Sequence, residues 1–357
     1  MARGSVNAPA PIHQRVTVAP LTDAAAWDAY VAGHAHATPF HSRAWCQAIT
    51  RATGHACHPL AAHDGEGRVA GLLPLHHIRS PLFGQALVAS GFAVDGGLLA
   101  DSEAAAAALA EAAIALAKSL EVPSVELRGG GLPAGWSVDE GVYAGFARHL
   151  AADDDAELLA IPRKQRAEVR KVLDSSLTVT TGRDAGERRD HYRTYATSVR
   201  NLGTPVFPKA LFDAVLDAFG DDADILTVRD NGKPVASVLS LYWRGTVMPY
   251  WGGGVADARR LRANELMYFV LMRHARARGC TRFDFGRSKV GTGPYSYKKN
   301  WGFSLQPLVY ARWLAPGETP RDTNPNSAKY RLQVDLWKKL PLWAANRIGP
   351  LIARGLG

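Results

Sequence analysis

The chain has 357 residues, of which 47% are hydrophobic and 21% are charged, and its net charge is +9. This composition is usual for a soluble globular protein, and three cysteines are too few for a disulfide framework. The charge is uneven, because residues 16–150 hold seven Lys/Arg against twelve Asp/Glu, whereas residues 151–357 hold 33 against 21. An anionic partner would therefore dock on the second part of the chain.

The beginning of the chain gives no sign of a targeting segment. Residues 1–15 lack the apolar region of a signal peptide, and we expect them to form a disordered leader. The longest uncharged stretch, residues 80–94, is too short and too rich in glycine for a transmembrane helix. Together with the cysteine count, these features predict a cytoplasmic protein with reduced thiols.

An internal repeat organises most of the chain. Residues 38–75 align without gaps onto residues 204–241, and 12 of the 38 aligned positions are identical. Each copy opens with Thr-Pro, continues with a helix-length segment and then places turn residues before an alternating apolar strand. Further along, the helical patterns 103–119 and 262–278 each lead through a short turn into a buried strand.

The repeat predicts a mixed α/β fold in which one domain is duplicated in tandem, each copy with a central mixed sheet. We place the first domain at 16–150 and the second at 178–315. A basic helix in 151–177 would connect them. The segment 316–357 mixes apolar and basic residues, and we interpret it as an amphipathic tail. This tail either packs on the domains or lies on a membrane surface, with 325–357 as the contact.

Several familiar motifs are incomplete in this sequence. Asp284–Gly286 spells the DFG of protein kinases, but no kinase catalytic loop accompanies it. Gly286–Gly291 has the spacing of a P-loop, yet Thr-Gly follows where Lys-Ser/Thr is required. The HACH run at 55–58 matches no paired zinc spacing, so we expect no metal site. A G-x-S-x-G elbow is absent from the sequence, which disfavours a covalent hydrolase.

The stretch FDFGRSKVGTGPYSYKKNWGF, residues 283–303, is the best candidate for a site. Phe283 and Phe285 alternate around Asp284, which predicts a strand that buries both rings and turns the carboxylate to the other face. The glycines that follow let the backbone bend closely around a ligand. The candidate cations and aromatic residues are Arg287, Lys289, Lys298, Lys299, Tyr295, Tyr297 and Trp301. The alternative is a solvated loop whose rings only pack and whose Asp284 pairs with a neighbouring arginine.

Two other stretches are candidates for lining a substrate pocket together with the aromatic residues of 283–303. MPYWGGG contains Tyr250 and three consecutive glycines, which in a strand usually mark the close approach of another group. SVRNLGTPVFP places Arg200 and Asn201 just before the repeated Thr-Pro. The first copy has no basic equivalent of Lys298 and Lys299. We therefore expect the chemistry in the second copy, with the first copy as support or acceptor site.

These motifs, in their order along the chain, give it a family resemblance. IPRKQRAEVRK, SVRNLGTPVFP, YWGGG followed by ANELMY, and the 283–303 run resemble the FemAB-related proteins of PEP-CTERM/exosortase systems. The wider family is similar to the Fem aminoacyltransferases, which are built from two GNAT-like domains. The resemblance implies a transferase that moves an acyl or aminoacyl group onto an amine in exopolysaccharide or cell-envelope biogenesis. The aromatic-lysine pair of the reaction centre matches Tyr297-Lys298.

The donor stays open between two chemistries. Fem ligases take the aminoacyl group from tRNA, often with a coiled-coil arm, and this sequence contains no such heptad stretch. GNAT acetyltransferases hold acetyl-CoA with an R/Q-x-x-G-x-G/A loop, whereas here Ala263 and Asn264 stand at its glycine and small-residue positions. The donor is thus an aminoacyl-tRNA or an acyl-CoA, with no tightly bound cofactor. Asn264 joins the list of substrate-binding candidates.

The resulting hypothesis is amide formation on an amine-bearing small molecule or cell-envelope precursor, with tRNA but not DNA as a nucleic-acid partner. Lys298 would stabilise the oxyanion, and Asp284 would orient the acceptor amine or accept its proton. Arg287, Lys289 and Lys299 would hold a phosphate or carboxylate. The alternatives are a non-catalytic basic scaffold protein of the same system and an acetyl-CoA-dependent N-acetyltransferase. The protein would be cytoplasmic or peripheral to the inner membrane.

Overall fold

The computed structural model describes residues 16–321 and 328–357. The expected leader, residues 1–15, lies outside the described part of the chain. The elements of the first half are β1 (Thr17–Pro20), α1 (Ala24–Gly33), α2 (Arg43–Thr53), β2 (Cys57–His63), β3 (Val69–Ser80), β4 (Gly84–Ala89), β5 (Leu99–Ala100), α3 (Glu103–Ser119), β6 (Ser124–Arg128) and β7 (Ser137–His149).

The rest of the chain contains a connecting pair of helices, a second half and two terminal helices. The connecting and second-half elements are α4 (Asp154–Ala160), α5 (Arg163–Leu173), β8 (Thr178–Gly182), α6 (Ala185–Leu202), α7 (Lys209–Phe219), β9 (Ala223–Asp230), β10 (Lys233–Trp243), β11 (Thr246–Gly254), α8 (Ala256–Leu261), α9 (Ala263–Ala277), β12 (Arg282–Lys289), α10 (Gly293–Asn300) and β13 (Ser304–Leu314). The terminal helices are α11 (Ala328–Lys339) and α12 (Leu342–Ala353).

The repeat found in the sequence is present in the structure. Helices α2 and α7 have equivalent bounds under the shift that aligns the two copies, and strands β2 and β9 follow them in the same way. The two helices pack on each other, and Arg51 donates to Asp217 at 3.2 Å, a pair whose positions differ by that shift of 166 residues. The predicted duplication of one α/β unit is therefore confirmed by the order of the elements.

Local signals in the sequence explain where several helices begin and end. Ser42 accepts a hydrogen bond from the backbone nitrogen of Trp45 at the start of α2, and Ser102 does the same for Ala105 at the start of α3. Helix α2 ends at Gly54, whose φ of 72° is a left-handed conformation that glycine adopts without a steric penalty. These caps fix the ends of helices that contribute buried faces to the core.

Within the described residues the strands form one sheet of 13 strands, in which the central sheets of the two copies are joined. Its order is β1-β2-β3-β4-β6-β13-β7-β12-β11-β10-β9-β8, with β5 paired to β3. The last strand of each half has crossed into the other half. Strand β13 pairs with β6, and β7 pairs with β12, while β7 and β13 also pair with each other at the centre. This exchange satisfies the edge strands of both halves and joins them into a continuous sheet.

Each half contains a split between two parallel strands. Strands β4 and β6 pair only through Leu87–Val88 and Val125–Glu126. Strands β11 and β12 likewise pair only through Thr246–Val247 and Arg282–Phe283. In the described part of the chain β11 has no further ladder partner on the β12 side, and β12 continues along β7 instead. The second split leaves an opening beside the stretch that the sequence marked as a candidate site.

The two halves share a hydrophobic core as well as a sheet. Trp45 and Ile49 of α2 are 0% exposed and belong to the same cluster as Phe212 of α7 and Trp251 of β11. Burying a side chain of this size contributes about 1.5–3 kcal/mol each. The basic helix α5 packs on α9 of the second half, and its Val169 and Val172 join the core of that half.

The terminal segment links the halves on the outside of the sheet. Helices α11 and α12 both pack on α6 of the second half. The residues that follow reach the first half, where the backbone oxygen of Arg354 lies 2.8 Å from His55 Nε2 and the oxygen of Gly357 accepts from Arg128 at 3.0 Å. No helix among the described residues is long and apolar enough to cross a bilayer.

Candidate active site

Strand β12 presents the alternation that was predicted for the candidate stretch. Phe283 is 0% exposed and Phe285 is 2% exposed, and both rings join the core of the second half. Asp284 points to the opposite face, where its Oδ1 accepts a hydrogen bond from the backbone nitrogen of Gly286 at 2.8 Å. Gly286 has a φ of 69°, so the chain turns sharply just after the carboxylate. Burial raises the pKa of Asp284, while Gly286, Lys298 and Arg282 oppose that rise.

Helix α10 brings Lys298 back over the end of β12. Lys298 Nζ donates to the backbone oxygen of Arg287 at 2.9 Å and lies 5.3 Å from the ring centroid of Phe285. It also lies 5.7 Å from the ring of Phe146, so aromatic faces surround the ammonium group. Burial lowers its pKa to about 8, with the charge of Asp284 opposing and that of Arg287 adding to the shift. Lys298 is therefore a largely protonated but desolvated cation at neutral pH.

Arg287 ties this cluster to the first half of the chain. Its Nη1 donates to Tyr310 Oη at 2.8 Å, and its guanidinium lies 4.6 Å from the ring centroid of Tyr143. Tyr310 Oη in turn donates to the backbone oxygen of Val94 at 2.9 Å. The predicted role of Arg287 in binding a phosphate or carboxylate stays a prediction, and its guanidinium also takes part in a protein network. The network positions a loop of the first half.

That loop, residues 90–97, carries an acidic residue that the sequence analysis missed. Besides the contact from Tyr310, Tyr250 Oη donates to the oxygen of Phe92 at 2.8 Å, and Arg128 Nη1 donates to the oxygen of Ala93 at 2.9 Å. These bonds hold Asp95 close enough to the second half for Asp284 to act on its titration. Burial raises the pKa of Asp95 to about 6, a hydrogen bond from the nitrogen of Gly96 opposes this, and Asp284 raises it further.

Gly129 explains how the loop can lie so close to β6. A Cβ added at Gly129 would lie 2.3 Å from Asp95 Oδ1, and the φ of Gly129 is 73°. Only glycine fits both conditions. The sequence did contain a signal for Asp95, since an acidic residue is followed by two glycines at 95–97 and faces a second glycine run at 129–131. The two runs meet only in the folded chain.

A cavity of about 710 Å³ opens in the first half beside this loop. Its titratable lining residues are His34, His36, His41, Asp95, Asp101 and Glu103. Asp95 is common to the cavity and to the cluster around Asp284. The three carboxyl-bearing residues would favour a cationic ligand such as an ammonium group. Burial lowers the pKa of His41 to about 4, so its imidazole is neutral at physiological pH.

The aromatic candidates of α10 lie partly in the core. Trp301 is 0% exposed and packs with Tyr268 and Phe285, so our prediction that it lines a pocket is wrong. Tyr297 packs on the same rings, and its buried hydroxyl has no hydrogen-bond partner among the described residues. Tyr295 stacks edge-on against Phe146, with centroids 5.5 Å apart. The side chain of Lys299 is exposed and that of Lys289 is half-buried.

Arg200 and Asn201, which we predicted to line the substrate pocket, lie where α6 meets the terminal segment. Both lie in the last turn of α6, where Arg200 Nη1 donates to the backbone oxygen of Lys338 at 3.1 Å and Asn201 is exposed. The reason is that α11, which the sequence could not place, packs on α6 and engages the arginine. Arg200 thus anchors the terminal segment.

The three glycines of β11 serve helix packing. A Cβ at Gly253 would lie 2.5 Å from Ser198 Oγ of α6, and one at Gly254 would lie 2.5 Å from Ala258 Cβ of α8. The Cβ added at Gly254 would also lie 3.0 Å from Asn264 Oδ1. The group that approaches this strand is therefore the protein itself. Asn264 lies at this contact, next to the split between β11 and β12.

Comparisons with known proteins agree with this architecture. Residues 162–299 match the family model described as an acetyltransferase (GNAT) domain. The crystal structure of FemX aligns with a TM-score of 0.64 and 16% identity, covering 82% of this chain and 96% of that one. A tandem GNAT protein from the clavulanic acid biosynthesis pathway aligns with a TM-score of 0.56 and 14% identity over 85% and 100% of the two chains.

A third similar structure is that of L-PGS from Bacillus licheniformis, with a TM-score of 0.52 and 12% identity over 89% of this chain and 98% of that one. No curated protein matches the sequence. At these identities the structural likeness concerns the fold. The predicted tandem GNAT-like α/β fold is confirmed, and the residues that match the model of an acetyltransferase (GNAT) domain include Asp284 and Lys298.

Proposed function

We propose that the protein is an N-acyltransferase that forms an amide between an activated acyl or aminoacyl donor and an amine acceptor. The observation that carries this proposal is that Asp284 interacts electrostatically both with Asp95 of the first half and with Lys298 of the second half of a tandem GNAT-like fold. Two half-buried carboxyl groups and a desolvated ammonium group can serve amide formation. They can accept a proton from the amine and stabilise the oxyanion.

In the proposed reaction the acceptor nitrogen attacks the donor carbonyl, and negative charge develops on the carbonyl oxygen. Lys298 stabilises that oxyanion, because its ammonium group is held among aromatic faces where water screens it little. Asp95 removes one proton from the ammonium form of the acceptor and so gives the neutral amine that attacks, while the charge of Asp284 favours the protonated form of Lys298. The bond from the carbonyl carbon to the sulfur or oxygen of the leaving group then breaks. Lys298 protonates the leaving group and takes up the second proton from the nitrogen of the new amide.

The acceptor would enter through the cavity in the first half. Its acidic lining suits an amine that arrives protonated, and Asp95 lies where the cavity meets the cluster. With a volume of about 710 Å³, the cavity can hold a ligand larger than a single amino acid. We therefore propose an amine-bearing small molecule or cell-envelope precursor as the acceptor class. This assigns a binding role to the first half and places the reacting groups at its border with the second.

The donor would lie in the split between β11 and β12, beside Tyr250, Asn264 and the Tyr297-Lys298 pair. The match of residues 162–299 to a GNAT domain supports an acyl-CoA donor, since such domains use acyl-CoA as co-substrate. An aminoacyl-tRNA donor is the second candidate. The excess of 33 Lys/Arg over 21 Asp/Glu in residues 151–357, with Lys299 exposed, favours an anionic donor of either kind.

We place this activity in the biogenesis of exopolysaccharide or the cell envelope, in a PEP-CTERM/exosortase system, on the strength of the motif resemblance. Contact with the inner membrane is part of this proposal. Helix α12 exposes Trp343 by 74% and Leu351 by 73%, and Arg347 lies between them on the same helical stripe. A tryptophan and a leucine beside a cation suit the interface of an anionic bilayer.

The test is mass spectrometry of the purified full chain incubated with acyl-CoAs, with aminoacyl-tRNA and with amines of the two acceptor classes. We expect a product whose mass equals the amine plus the acyl group minus one hydrogen, formed with one donor class. Formation with acyl-CoA alone would exclude the tRNA donor, and the reverse result would exclude CoA. Salt-sensitive binding of all ligands with no product from any combination would favour a non-catalytic scaffold protein and contradict the proposal.

A further inference from the structure

A group of thiol and imidazole side chains lies in the first half, outside the site described above. The ligating atoms of Cys46, Cys57 and His76 all lie within 4.8 Å of one another. Cys57 of β2 and His76 of β3 are directly opposite in the antiparallel register, so their side chains share one face of the sheet. Cys46 reaches them from α2. The two cysteines differ in exposure, because Cys46 is 4% exposed whereas Cys57 is half-buried.

The hydrogen bonds of His76 decide what this group can do. The backbone nitrogen of Gly91 donates to His76 Nδ1 at 3.0 Å, so Nδ1 is an acceptor and a neutral ring carries its proton on Nε2. Nε2 lies 3.5 Å from the oxygen of Cys46, which can only accept. The His76 ring also interacts with the Cys57 sulfur. A metal ion needs a lone pair on a ring nitrogen, and here the lone pair on Nδ1 already accepts a hydrogen bond. This tautomer therefore favours a protonated donor facing a thiolate over a metal site.

The two cysteines are electrostatically unequal. A hydrogen bond between them lowers the pKa of Cys57 and raises that of Cys46, and His76 adds to the lowering at Cys57 while burial opposes it. Cys57 lies opposite His76 and is the more exposed residue, so its thiolate is the one that His76 can stabilise, whereas Cys46 is the buried cysteine beside it. This division corresponds to a nucleophilic cysteine with a resolving partner. In a reducing compartment such a pair is a redox site rather than a structural disulfide.

We propose that Cys57 is a site of oxidation by hydroperoxides and that Cys46 resolves the oxidised form into a Cys46–Cys57 disulfide. The Cys57 thiolate attacks a peroxide oxygen, the O–O bond breaks, and the departing hydroxide takes a proton and leaves as water. Cys57 is now a sulfenic acid. The Cys46 sulfur, on loss of its proton, attacks the Cys57 sulfur and expels a second water. Two thiols are oxidised by two electrons in total, and one hydrogen peroxide is reduced to two waters.

Formation of the disulfide would weaken the hydrogen bonds that hold the loop carrying Asp95. Gly91 of this loop is held at both its backbone nitrogen and its oxygen by residues in or next to the Cys46–Cys57–His76 cluster. Its nitrogen donates to His76, and its oxygen accepts from Trp45 Nε1 at 3.1 Å. Trp45 immediately precedes Cys46 in α2. Drawing the Cys46 sulfur into a disulfide therefore strains one or both of these bonds. Faster amide hydrogen exchange in residues 90–97 after oxidation is the expected structural consequence, and it can be measured whether or not the enzymatic proposal is correct.

The test treats the full chain with an equivalent of hydrogen peroxide and maps its peptides without reduction. We expect a linked Cys46–Cys57 peptide pair, lighter by about 2 Da, to form before Cys280 reacts. Cys280→Ser is the matched control and should form the same disulfide. Cys46→Ser should stop at a Cys57 sulfenic acid, and Cys46→Ala replaces it if the serine variant fails to fold. His76→Gln should slow oxidation of Cys57 by about tenfold.

Three results would overturn the proposal. Equal rates of oxidation at all three cysteines in the folded chain would show that Cys57 is not activated. A disulfide that forms only in denaturant would show that the native geometry prevents it. Stoichiometric zinc in the purified protein, lost in Cys57→Ser, would show that the group is a metal site.

Discussion

Lys298 and Lys299 are adjacent in α10, yet their surroundings are opposite. Lys298 lies among the rings of Phe146 and Phe285, and Lys299 is exposed to solvent. If Lys298 stabilises an oxyanion, Lys298→Ala should lower turnover by about 100- to 1000-fold. Lys299→Ala should leave kcat within a few-fold, because an exposed lysine that attracts the anionic donor affects KM rather than the chemical step. Steady-state kinetics of the two variants provides the comparison, and equal effects on kcat would contradict the assignment.

The pH dependence of the reaction should show the titration of two groups. Asp95 must be ionised to accept a proton, so activity should rise with pH through about 6. Lys298 must be protonated to stabilise the oxyanion, so activity should fall as pH rises through about 8. A bell-shaped profile of kcat/KM is therefore expected. Asp95→Asn should lower the rate by about 100-fold and remove the acidic limb, and a wild-type profile in that variant would assign the limb elsewhere.

Tyr310 joins the two halves through a single hydroxyl group. It accepts from Arg287 and donates to Val94, so Tyr310→Phe leaves a buried guanidinium and a carbonyl each without this partner. We expect a loss of about 1–3 kcal/mol in the free energy of unfolding, measured by urea titration. Tyr143→Phe is the matched control, because the ring under Arg287 stays and the hydroxyl takes no part in this relay. Equal losses would mean that the rings, not the relay, provide the stability.

At the scale of elements, α12 supports the proposed contact with a membrane. Replacing Trp343 and Leu351 by alanine should weaken binding to vesicles containing anionic lipid by about tenfold or more, since both exposed apolar side chains would be lost. Leu82→Ala is the control, because Leu82 is 65% exposed at a turn in the first half. Sedimentation with vesicles measures the effect. Unchanged binding of the double variant would place any membrane contact elsewhere.

The elements also show why some site residues could be found in the sequence and others could not. The alternation of Phe283, Asp284 and Phe285 is local, because period-two alternation in a strand decides which side chains are buried. Asp95 lies 189 positions before Asp284, and no local pattern joins them. Their proximity depends on strand β13 crossing into the first half and placing Tyr310 under the 90–97 loop. Trp301 was misassigned because an amphipathic residue beside a loop has no sequence mark that separates core from pocket.

At the scale of the whole molecule, the exchange of β7 and β13 makes the halves interdependent. The division at 16–150 and 178–315 remains a prediction about the sequence repeat. A fragment ending at residue 177 would keep β7 but lack both of its sheet partners, β12 and β13. We expect this fragment to be unfolded alone, and fragments 1–177 and 178–357 to form a folded complex when mixed. Circular dichroism with denaturant titration tests this, and cooperative unfolding of the isolated first fragment would contradict it.

The sequence by itself determined the duplicated α/β unit, the strand that buries Phe283 and Phe285, and the uneven charge. Each of these depends on local periodicity or composition, which the chain carries whatever its neighbours are. The tertiary structure decided that the sheets of the two copies join into one, that Arg200 holds the terminal helix and that Asp95 joins Asp284. These features depend on contacts between segments that are far apart in the sequence, which pair at strand edges, bond to backbone carbonyls and fill the core. Burial then decides the chemistry, because only the assembled site desolvates Lys298 and the two carboxyl groups.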